Sequence, residues 1–477
     1  MKLELPISVL CIVMRLQQAG YTAEIVGGAV RDVLLNVPTK DWDITTNAKP
    51  EEILPLFTDS FYENNYGTVM VAQKHLSEQC NFPCPAGEED LIFDITTYRS
   101  DGEYRNHRQP EDVTWGTTIE EDLKRRDFTI NAISLSIGKQ SLESLDLLAP
   151  AIKIDCTLID PFSGQADLEA KRIRTVGVAS ERLNEDALRM LRAIRFAVTL
   201  GFVIDQEVGD AIAEHAASLS VISWERKSSE FLKMIASPSP SVAILFLDRF
   251  GLLENIVPEL LPMKGVKQSG HHIYDVWEHS IRALEACSSP DPVVRLATLM
   301  HDVGKPLTFQ QTDQGTITFY NHEVVGARVA KQVAGRLRLA KHDCDRVFTL
   351  VRWHMFTYES FATDAYIRRF IRRVGLENIE DMFALRTGDR VGSGSKASSW
   401  RLEELKERIW AELHQPLKIT DLAINGNDIM QTLSISPGPL IGKILNALLE
   451  DVLEDPAHNT KEYLQEMAKK LSSDLAS

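Results

Sequence analysis

Residues 24–46 read EIVGGAVRDVLLNVPTKDWDITT. A short apolar run ends on Gly27 and Gly28, AVRDVLL has helical spacing, and WDITT reads as a second strand. Adjacent glycines between a strand and a helix let backbone N–H groups approach an anion, and the helix N-terminus adds positive potential. Arg31 lies one helical turn beyond Gly28, within reach of the same anion. There is no GxxxxGK(S/T) and no GxGxxG, so this is neither a P-loop nor a dinucleotide fingerprint. Asp41 and Asp43 stand one residue apart, and strand alternation puts both carboxylates on one face. Like charges that close are unfavourable without a cation between them, and Mg²⁺ shared by carboxylates and substrate phosphates is a recurrent solution. These residues alone leave two readings open. One is a metal-and-phosphate site; the other is a solvated strand start beside a glycine turn, the commoner use of a bare DxD.

The chain around this stretch has 477 residues, enough for two to four domains. Its composition, 44% hydrophobic and 25% charged, is that of a soluble globular protein. No apolar run approaches the roughly 20 residues that span a bilayer. The opening MKLELPISVLCIVMRLQQAG is interrupted by Arg15 and reads as a core helix with Ile7, Leu10, Val13 and Met14 on one side, stopping at Gly20. A cytoplasmic protein without membrane partners is expected. The six cysteines form no CxxC pair and suit reduced thiols. Cys80 and Cys84 with His75 offer three metal ligands but no evident fourth, so an ordinary loop is the favoured reading there.

The net charge of −16 argues against a nucleic-acid partner on its face, but binding depends on patches. Between Lys171 and Arg195 the chain carries seven basic residues against three acidic ones. Strand-like runs (TAEIVGG, WDITT, GTVMVA, LIFDITTY) mix with helices up to a turn-rich DPFSGQADL at 160–168, and beyond about residue 180 the period is helical. The layout is therefore an α+β head followed by a helical middle and tail.

Three further constellations carry chemistry. In EEDLKRRDFTINAIS (120–134) a charged helix runs into a β-like segment, which alone could be a helix with a basic last turn. In NEDALRMLRAIRF (184–196), read as one helix, Asp186 and Arg189 share a face, and Arg192 and Arg195 continue at the same spacing. For an arbitrary helix such an Asp/Arg pair is a surface salt bridge of a few tenths of a kcal/mol. Finally, GHHIYDVWEHS, LATLMHDVGKP, YNHEVVG and RWHM scatter histidines around a His-Asp doublet, a metal-ligand pattern.

GGAVRD followed by DWD, an ungapped RRDFTIN, and the complete Glu185-Asp186-Arg189 of EDxxR together resemble the class II tRNA nucleotidyltransferases and bacterial poly(A) polymerases of the polymerase-beta-like superfamily. The likeness continues through SPGPLIGKIL near the C-terminus. It implies a polymerase-beta-like head with a mixed sheet, then all-α neck, HD and tail domains, with boundaries near 1–160, 161–262, 263–391 and 392–477. It implies that Asp41 and Asp43, with Asp94 of LIFDITTY as third carboxylate, hold Mg²⁺ and activate an RNA 3′-hydroxyl. It gives Gly27, Gly28, Arg31, Arg126, Arg192 and Arg195 to the triphosphate, and Asp127 and Asn131 to the ribose. Asp186 and Arg189 become a protein template for the base. Cytosine and adenine both carry an amine beside an acceptor nitrogen, so an Asp acceptor and an Arg donor select CTP and ATP and penalise UTP and GTP. The polar loop YRSDGEYRNHRQPEDVTWGTTIEEDLK resembles the segment associated with switching from C to A addition, and its retention favours full CCA addition to the tRNA 3′ end. An A-adding enzyme or a poly(A) polymerase is the alternative, although YGTVMVA replaces the basic stretch expected of the latter.

The histidine pattern closely resembles the HD phosphohydrolase domain, with His279, His301, Asp302 and Asp389 as metal ligands, His322 and His354 as the extra histidines of fuller sites, and Lys305 as in HDxGK. That resemblance implies a divalent transition metal and a phosphatase or 2′,3′-cyclic phosphodiesterase activity. It also leaves open a metal phosphohydrolase whose head only binds nucleotides, and a retained helical scaffold that helps hold tRNA. A DNA partner is not expected, and the tail is expected to lie against the tRNA elbow.

Overall fold

The structure, a computed structural model, describes residues 1–63, 67–101, 104–105, 109–110, 113–142, 148–268 and 273–476. The chain forms two compact units, Met1–Ile256 and Val257–Ser477. Among the described residues no helix is long and apolar enough to cross a membrane.

The first unit is built on an eight-stranded mixed sheet. Its strands are β1 (Lys2–Pro6), β2 (Ala23–Val26), β3 (Asp43–Thr46), β4 (Phe61–Glu63), β5 (Thr68–Ala72), β6 (Ile92–Thr97), β7 (Ser134–Ile137) and β8 (Ala151–Ile159). Their spatial order is β1-β8-β7-β2-β3-β6-β5-β4. The central strands are rich in β-branched residues, and Ile25, Ile44, Ile95 and Leu135 are fully buried. β3 pairs antiparallel with β2 and parallel with β6, in a register that sets Asp43 opposite Asp94. The stretch 24–46 thus supplies two adjacent central strands, with helix Gly28–Leu34 between them.

The N-terminal helix spans Ile7–Gln18. Its burial extends beyond the expected stripe to Ser8, Cys11 and Ile12, and the residues before it, Lys2–Pro6, form an edge strand that the helical reading of the N-terminus does not anticipate. The expected helix over 184–196 is broken. One helix ends at Glu185, Asp186 is extended (φ −139°, ψ 106°), and a second runs Leu188–Leu200. Asp186 accepts the backbone N–H of Leu188 at 3.1 Å, which starts the second helix as a cap. That helix packs on Trp224–Ile235 and Pro240–Arg249.

The second unit is helical. Helices Val276–Ala286, Pro292–Met300, His322–Arg336, Lys341–Trp353 and Ile379–Gly392 pack together, and Asp364–Val374 leads to the tail helices. Arg368 is buried there and donates to the carbonyls of Leu453 and Glu454 at 2.8 and 3.0 Å, satisfying the end of helix Pro439–Glu454.

Asp127 ties the sheet-bearing part of the first unit to its helices. Its carboxylate accepts Arg192 Nε at 2.6 Å and Asn131 Nδ2 at 3.2 Å. Burial alone would raise its pKa, but the Arg192 charge and hydrogen bond outweigh it and hold the carboxyl at about 2. The folded value lies below the unfolded one of about 3.9. The resulting stabilisation is complete above that value and is lost as pH falls toward 2. Asp127→Asn is therefore expected to lower stability by on the order of 2 kcal/mol at pH 6, and the gap from the parent to narrow by about 1 kcal/mol by pH 3. Urea denaturation across that range measures it, and a pH-independent gap would contradict the assignment.

Candidate active site

The loop ends at one side of the sheet and the helices that follow enclose a cavity of about 570 Å³ within the first unit. Gly27 ends β2 at φ +74°, where a Cβ would stand 2.7 Å from Arg126 Nη1 and 3.2 Å from Asp43 Oδ2. Only glycine lets the backbone pass that close to both groups. Gly28 opens the following helix, whose first turn carries Arg31 toward the cavity.

Asp43 is half-buried at the start of β3 and Asp41 is exposed just before it, with buried Trp42 between them, so both carboxylates reach the cavity. Burial, set against Arg126 and reinforced by Asp41, Asp94 and Asp122, pushes the Asp43 carboxyl up to about 6. Asp94 is brought beside Asp43 by the strand register. Asp41, Asp43 and Asp94 do not draw their oxygens within 4.8 Å of one another as a ligand set. Three carboxylates repel, and Mg²⁺ completes its shell with water and phosphate rather than with a closed protein cage. The donor set is hard oxygen, which fits that ion.

The RRDFTIN segment forms a short 3-10 turn at Thr129–Asn131 that carries a continuous network. Arg31 Nη1 donates to Asn131 Oδ1 at 2.8 Å, Asn131 donates to Asp127, and Asp127 accepts Arg192. Arg126 and Arg125 both bind buried Asp122, at 3.2 and 2.6 Å. Phe196 lies beneath three guanidinium groups, with Arg195, Arg31 and Arg192 at 4.0, 5.2 and 5.3 Å from its ring centroid. Arg195 is also held by Glu230 at 2.5 Å.

Asp186 and Arg189, which the family resemblance predicts to read the base, sit on either side of the helix break. Asp186 is held by Arg226, Nη2 to Oδ2 at 2.6 Å and Nη1 to Oδ1 at 3.3 Å. Arg189 is bound by Glu185 and by the carbonyls of Arg182 and Arg125. The two are not the single rigid helical pair that their spacing predicts. Arg226, Lys233, Arg125 and Arg99 also line the cavity, and the sequence reading does not single them out. The available signal is WERKSSEFLKMI, in which Arg226, Glu230 and Lys233 recur at helical spacing on one face. In all, the cavity gathers nine cations (Arg31, Arg99, Arg125, Arg126, Arg189, Arg192, Arg195, Arg226, Lys233) against Asp41, Asp43, Asp127 and Asp186. The loop expected to switch nucleotides lies partly outside the described residues, at 102–103, 106–108 and 111–112; Arg99–Asp101 and Val113–Trp115 pair as a ribbon at its base.

The second unit brings its own cluster together. His279 comes from helix 276–286, His301 and Asp302 from the end of helix 292–300, His322 from the start of helix 322–336, His354 from the end of helix 341–353, and Asp389 from helix 379–392. Gly304 permits this crossing, because a Cβ there would lie 2.2 Å from the His322 carbonyl. His279 Nε2 stands 2.9 Å from His301 Nε2 and 3.3 Å from both Asp302 Oδ2 and Asp389 Oδ1. Burial opposes the charge on His279, but Asp302 and Asp389 prevail and push it up to about 9. His354 is driven down to about 3 by burial and by His301. Imidazoles beside carboxylates suit a divalent transition metal, and buried His322 Nε2, with no hydrogen-bond partner, is an orphan that such an ion would satisfy. His271 and His272 lie outside the described residues. Elsewhere, Cys80 ends a helix that begins at Gln73, and His75 pairs with Asp59 at 3.3 Å; with Cys84 they form no ligand set among the described residues.

Residues 23–174 match the Poly A polymerase head domain, 201–264 the RNA and SrmB-binding site of polymerase A, 270–381 the HD domain and 362–468 the tRNA nucleotidyltransferase domain 2. The chain is similar to the A-adding tRNA nucleotidyltransferase of Deinococcus radiodurans, 33% identical over 90% of this chain and 91% of that protein. It is similar to the CCA-adding enzyme of Geobacillus stearothermophilus, 31% identical over 94% and 93% of the two chains. Among solved structures it is similar to the Bacillus stearothermophilus CCA-adding enzyme in complex with CTP, with a TM-score of 0.69, 27% identity, and 98% and 97% of the two chains covered. A mixed-sheet head with paired aspartates, an arginine-lined cavity and relatives aligned over nearly their whole length leave one assignment: this chain belongs to the class II tRNA nucleotidyltransferase and poly(A) polymerase family, as a divalent-metal-dependent nucleotidyltransferase that also carries an HD domain.

Proposed function

We propose that this nucleotidyltransferase adds C, C and A without a nucleic-acid template to the 3′ end of tRNA in the cytoplasm, taking CTP and ATP as substrates. The observation that supports the reading is the Asp186–Arg226 pair lining the same cavity as Asp41 and Asp43, as a protein-borne hydrogen-bond template beside a phosphoryl-transfer site requires. Asp41 and Asp43, with Asp94 behind them, are the ligands for Mg²⁺. Mg²⁺ held by these carboxylates would neutralise triphosphate charge and lower the pKa of the 3′-hydroxyl. Arg31, Arg126, Arg192 and Arg195 receive the triphosphate at the Gly27–Gly28 turn. Asp127 and Asn131 orient the ribose. Asp186 accepts the exocyclic amine of the base, and Arg189 donates to its ring. Arg226 positions the Asp186 carboxylate. In the division 1–160, 161–262, 263–391 and 392–477, the head holds the phosphates, the neck reads the base, and the tail contacts the body of the tRNA.

A second activity at the HD cluster is favoured by the convergence of six ligand side chains from five helices on one buried point. In this reading His279, His301, Asp302 and Asp389 hold a divalent transition metal. Lys305 and Arg386, which line the adjoining cavity of about 460 Å³, bind the phosphate of a phosphoester substrate.

Three outcomes are expected. Purified protein given tRNA lacking its last three nucleotides should add two C from CTP and then one A from ATP, and Asp41→Ala should cut CMP incorporation by about 10³-fold or more without unfolding the protein. Normal incorporation by Asp41→Ala would remove the assignment, and incorporation of ATP alone onto tRNA ending in CC would favour the A-adding alternative. Asp186→Ala should reduce discrimination of CTP against UTP by one to two orders of magnitude in kcat/KM; unchanged discrimination would place base reading elsewhere. Hydrolysis of a 2′,3′-cyclic phosphate should survive Asp41→Ala and vanish with Asp302→Ala, and loss in both variants would tie it to the head instead.

A further inference from the structure

We infer that Cys11 and Cys80 form a dithiol that hydrogen peroxide converts to a disulfide, with Cys80 attacking the oxidant and Cys11 resolving the product. Neither residue lines the nucleotide cavity.

The two cysteines are distant in sequence and meet through packing. Cys11 lies in the middle of helix Ile7–Gln18 and is fully buried. Cys80 is the last residue of helix Gln73–Cys80, which packs on the first. A single atom locks the two helices together. The Leu56 carbonyl accepts Arg15 Nη2 at 2.7 Å and Nε at 3.0 Å, from one turn beyond Cys11, and Gln79 Nε2 at 3.1 Å, from the residue before Cys80. Beside that lock the thiols of Cys11 and Cys80 are hydrogen-bonded to each other, and Arg15 also reaches the Cys80 sulfur. Both are free thiols. Two cysteines bridge without backbone movement only where their side chains point at one another across a short gap, and the thiol–thiol hydrogen bond has that orientation.

The pair is asymmetric. The hydrogen bond from Cys11 and the positive charge of Arg15 outweigh burial and bring the Cys80 thiol down to about 7, whereas the contact with Cys80, together with burial, pushes Cys11 up. Cys80 is thus the thiolate and Cys11 the thiol that donates to it. Cys80 also has the access: 9% of it remains exposed, next to exposed Asn81 at the helix end, against none of Cys11. In the first step the Cys80 thiolate attacks one oxygen of hydrogen peroxide and the O–O bond breaks. The departing hydroxide takes up the proton that Cys80 shed on ionising, leaving water and a sulfenic acid on Cys80. Cys80 no longer carries the charge that held the Cys11 proton, so Cys11 can ionise. Its sulfur attacks the Cys80 sulfur, the S–OH bond breaks, and the hydroxide leaves with the Cys11 proton as a second water. Each sulfur gives up one electron, and one peroxide becomes two waters. Cys84, four residues beyond Cys80, is the competing thiol, but its sulfur turns to the Pro85 carbonyl at 3.9 Å.

The test uses the full chain, reduced, freed of reductant, treated with hydrogen peroxide, blocked with iodoacetamide and mapped by mass spectrometry after digestion. A peptide pair linked through Cys11 and Cys80 should appear and should vanish with dithiothreitol, and Cys84→Ser should leave its yield unchanged. In Cys11→Ala, dimedone should trap a sulfenic acid on Cys80. In Cys80→Ala, oxidation of Cys11 should fall by about tenfold or more, because the thiolate that starts the reaction is gone. A link between Cys80 and Cys84, or oxidation of Cys84 while Cys11 and Cys80 both remain alkylated as thiols, would overturn the pair. Dimedone labelling of Cys11 in Cys80→Ala as strong as that of Cys80 in Cys11→Ala would overturn the assigned roles.

Discussion

The buried contact of Asp127 with Arg192 is the interaction on which the nucleotide cavity depends. Asp127 lies in the segment leading into β7, and Arg192 lies on the helix that follows the break at Asp186. Neither element alone forms a nucleotide site. The sheet supplies carboxylates and a glycine turn, and the helix supplies cations. Asp127 also orders Asn131, which in turn orients Arg31 from the glycine-turn helix. One carboxylate therefore sets the positions of groups from three separated stretches of sequence. Its cost is desolvation, and the buried charge is tolerated because every nearby donor is charged or amidic.

The same network reconciles an acidic protein with anionic substrates. A chain of net charge −16 repels a triphosphate and an RNA at long range. Within a Debye length of about 8 Å the local distribution decides instead. In the cavity the arginines are partly committed to internal acids, Arg126 to Asp122, Arg195 to Glu230 and Arg226 to Asp186, which holds long flexible side chains in place before a substrate arrives. That arrangement limits the ordering entropy paid on binding.

What the sequence discloses follows from how local each feature is. Asp41 and Asp43, the glycine turn and RRDFTIN are contiguous strings whose chemistry survives without knowledge of the fold, and the strand periods around them predict the central sheet. The buried His/Asp cluster is also legible, because a His-Asp doublet among spaced histidines is a distinctive pattern. Arg226 is hidden: it stands 40 residues beyond Asp186 on a helix whose charges look like an ordinary solvated face. The break at Asp186 is masked by an uninterrupted helical period with no glycine or proline, although an aspartate two residues before a helical run is itself a capping signal. The edge strand Lys2–Pro6 is invisible for a different reason. Its partner, β8, lies about 150 residues away, and only pairing across the sheet makes it a strand.

The two centres answer one electrostatic problem with different backbones. Both concentrate acceptors that repel one another until a cation arrives. In the head the carboxylates ride on neighbouring strands, where parallel register fixes Asp43 beside Asp94 but leaves the face open to solvent and substrate. Hard oxygen donors on an open face match an ion that keeps water and phosphate in its shell. In the His/Asp cluster His301, His322 and His354 stand at helix ends, and free terminal carbonyls are available to take the Nδ1 protons of His301 and His354. Helix ends thereby both position the rings and choose their tautomer, which a sheet face cannot do. Softer, pre-oriented imidazoles in a buried pocket match an ion held by the protein itself. The strand-borne site is therefore suited to a metal that arrives with its nucleotide, and the helix-borne site to one that stays.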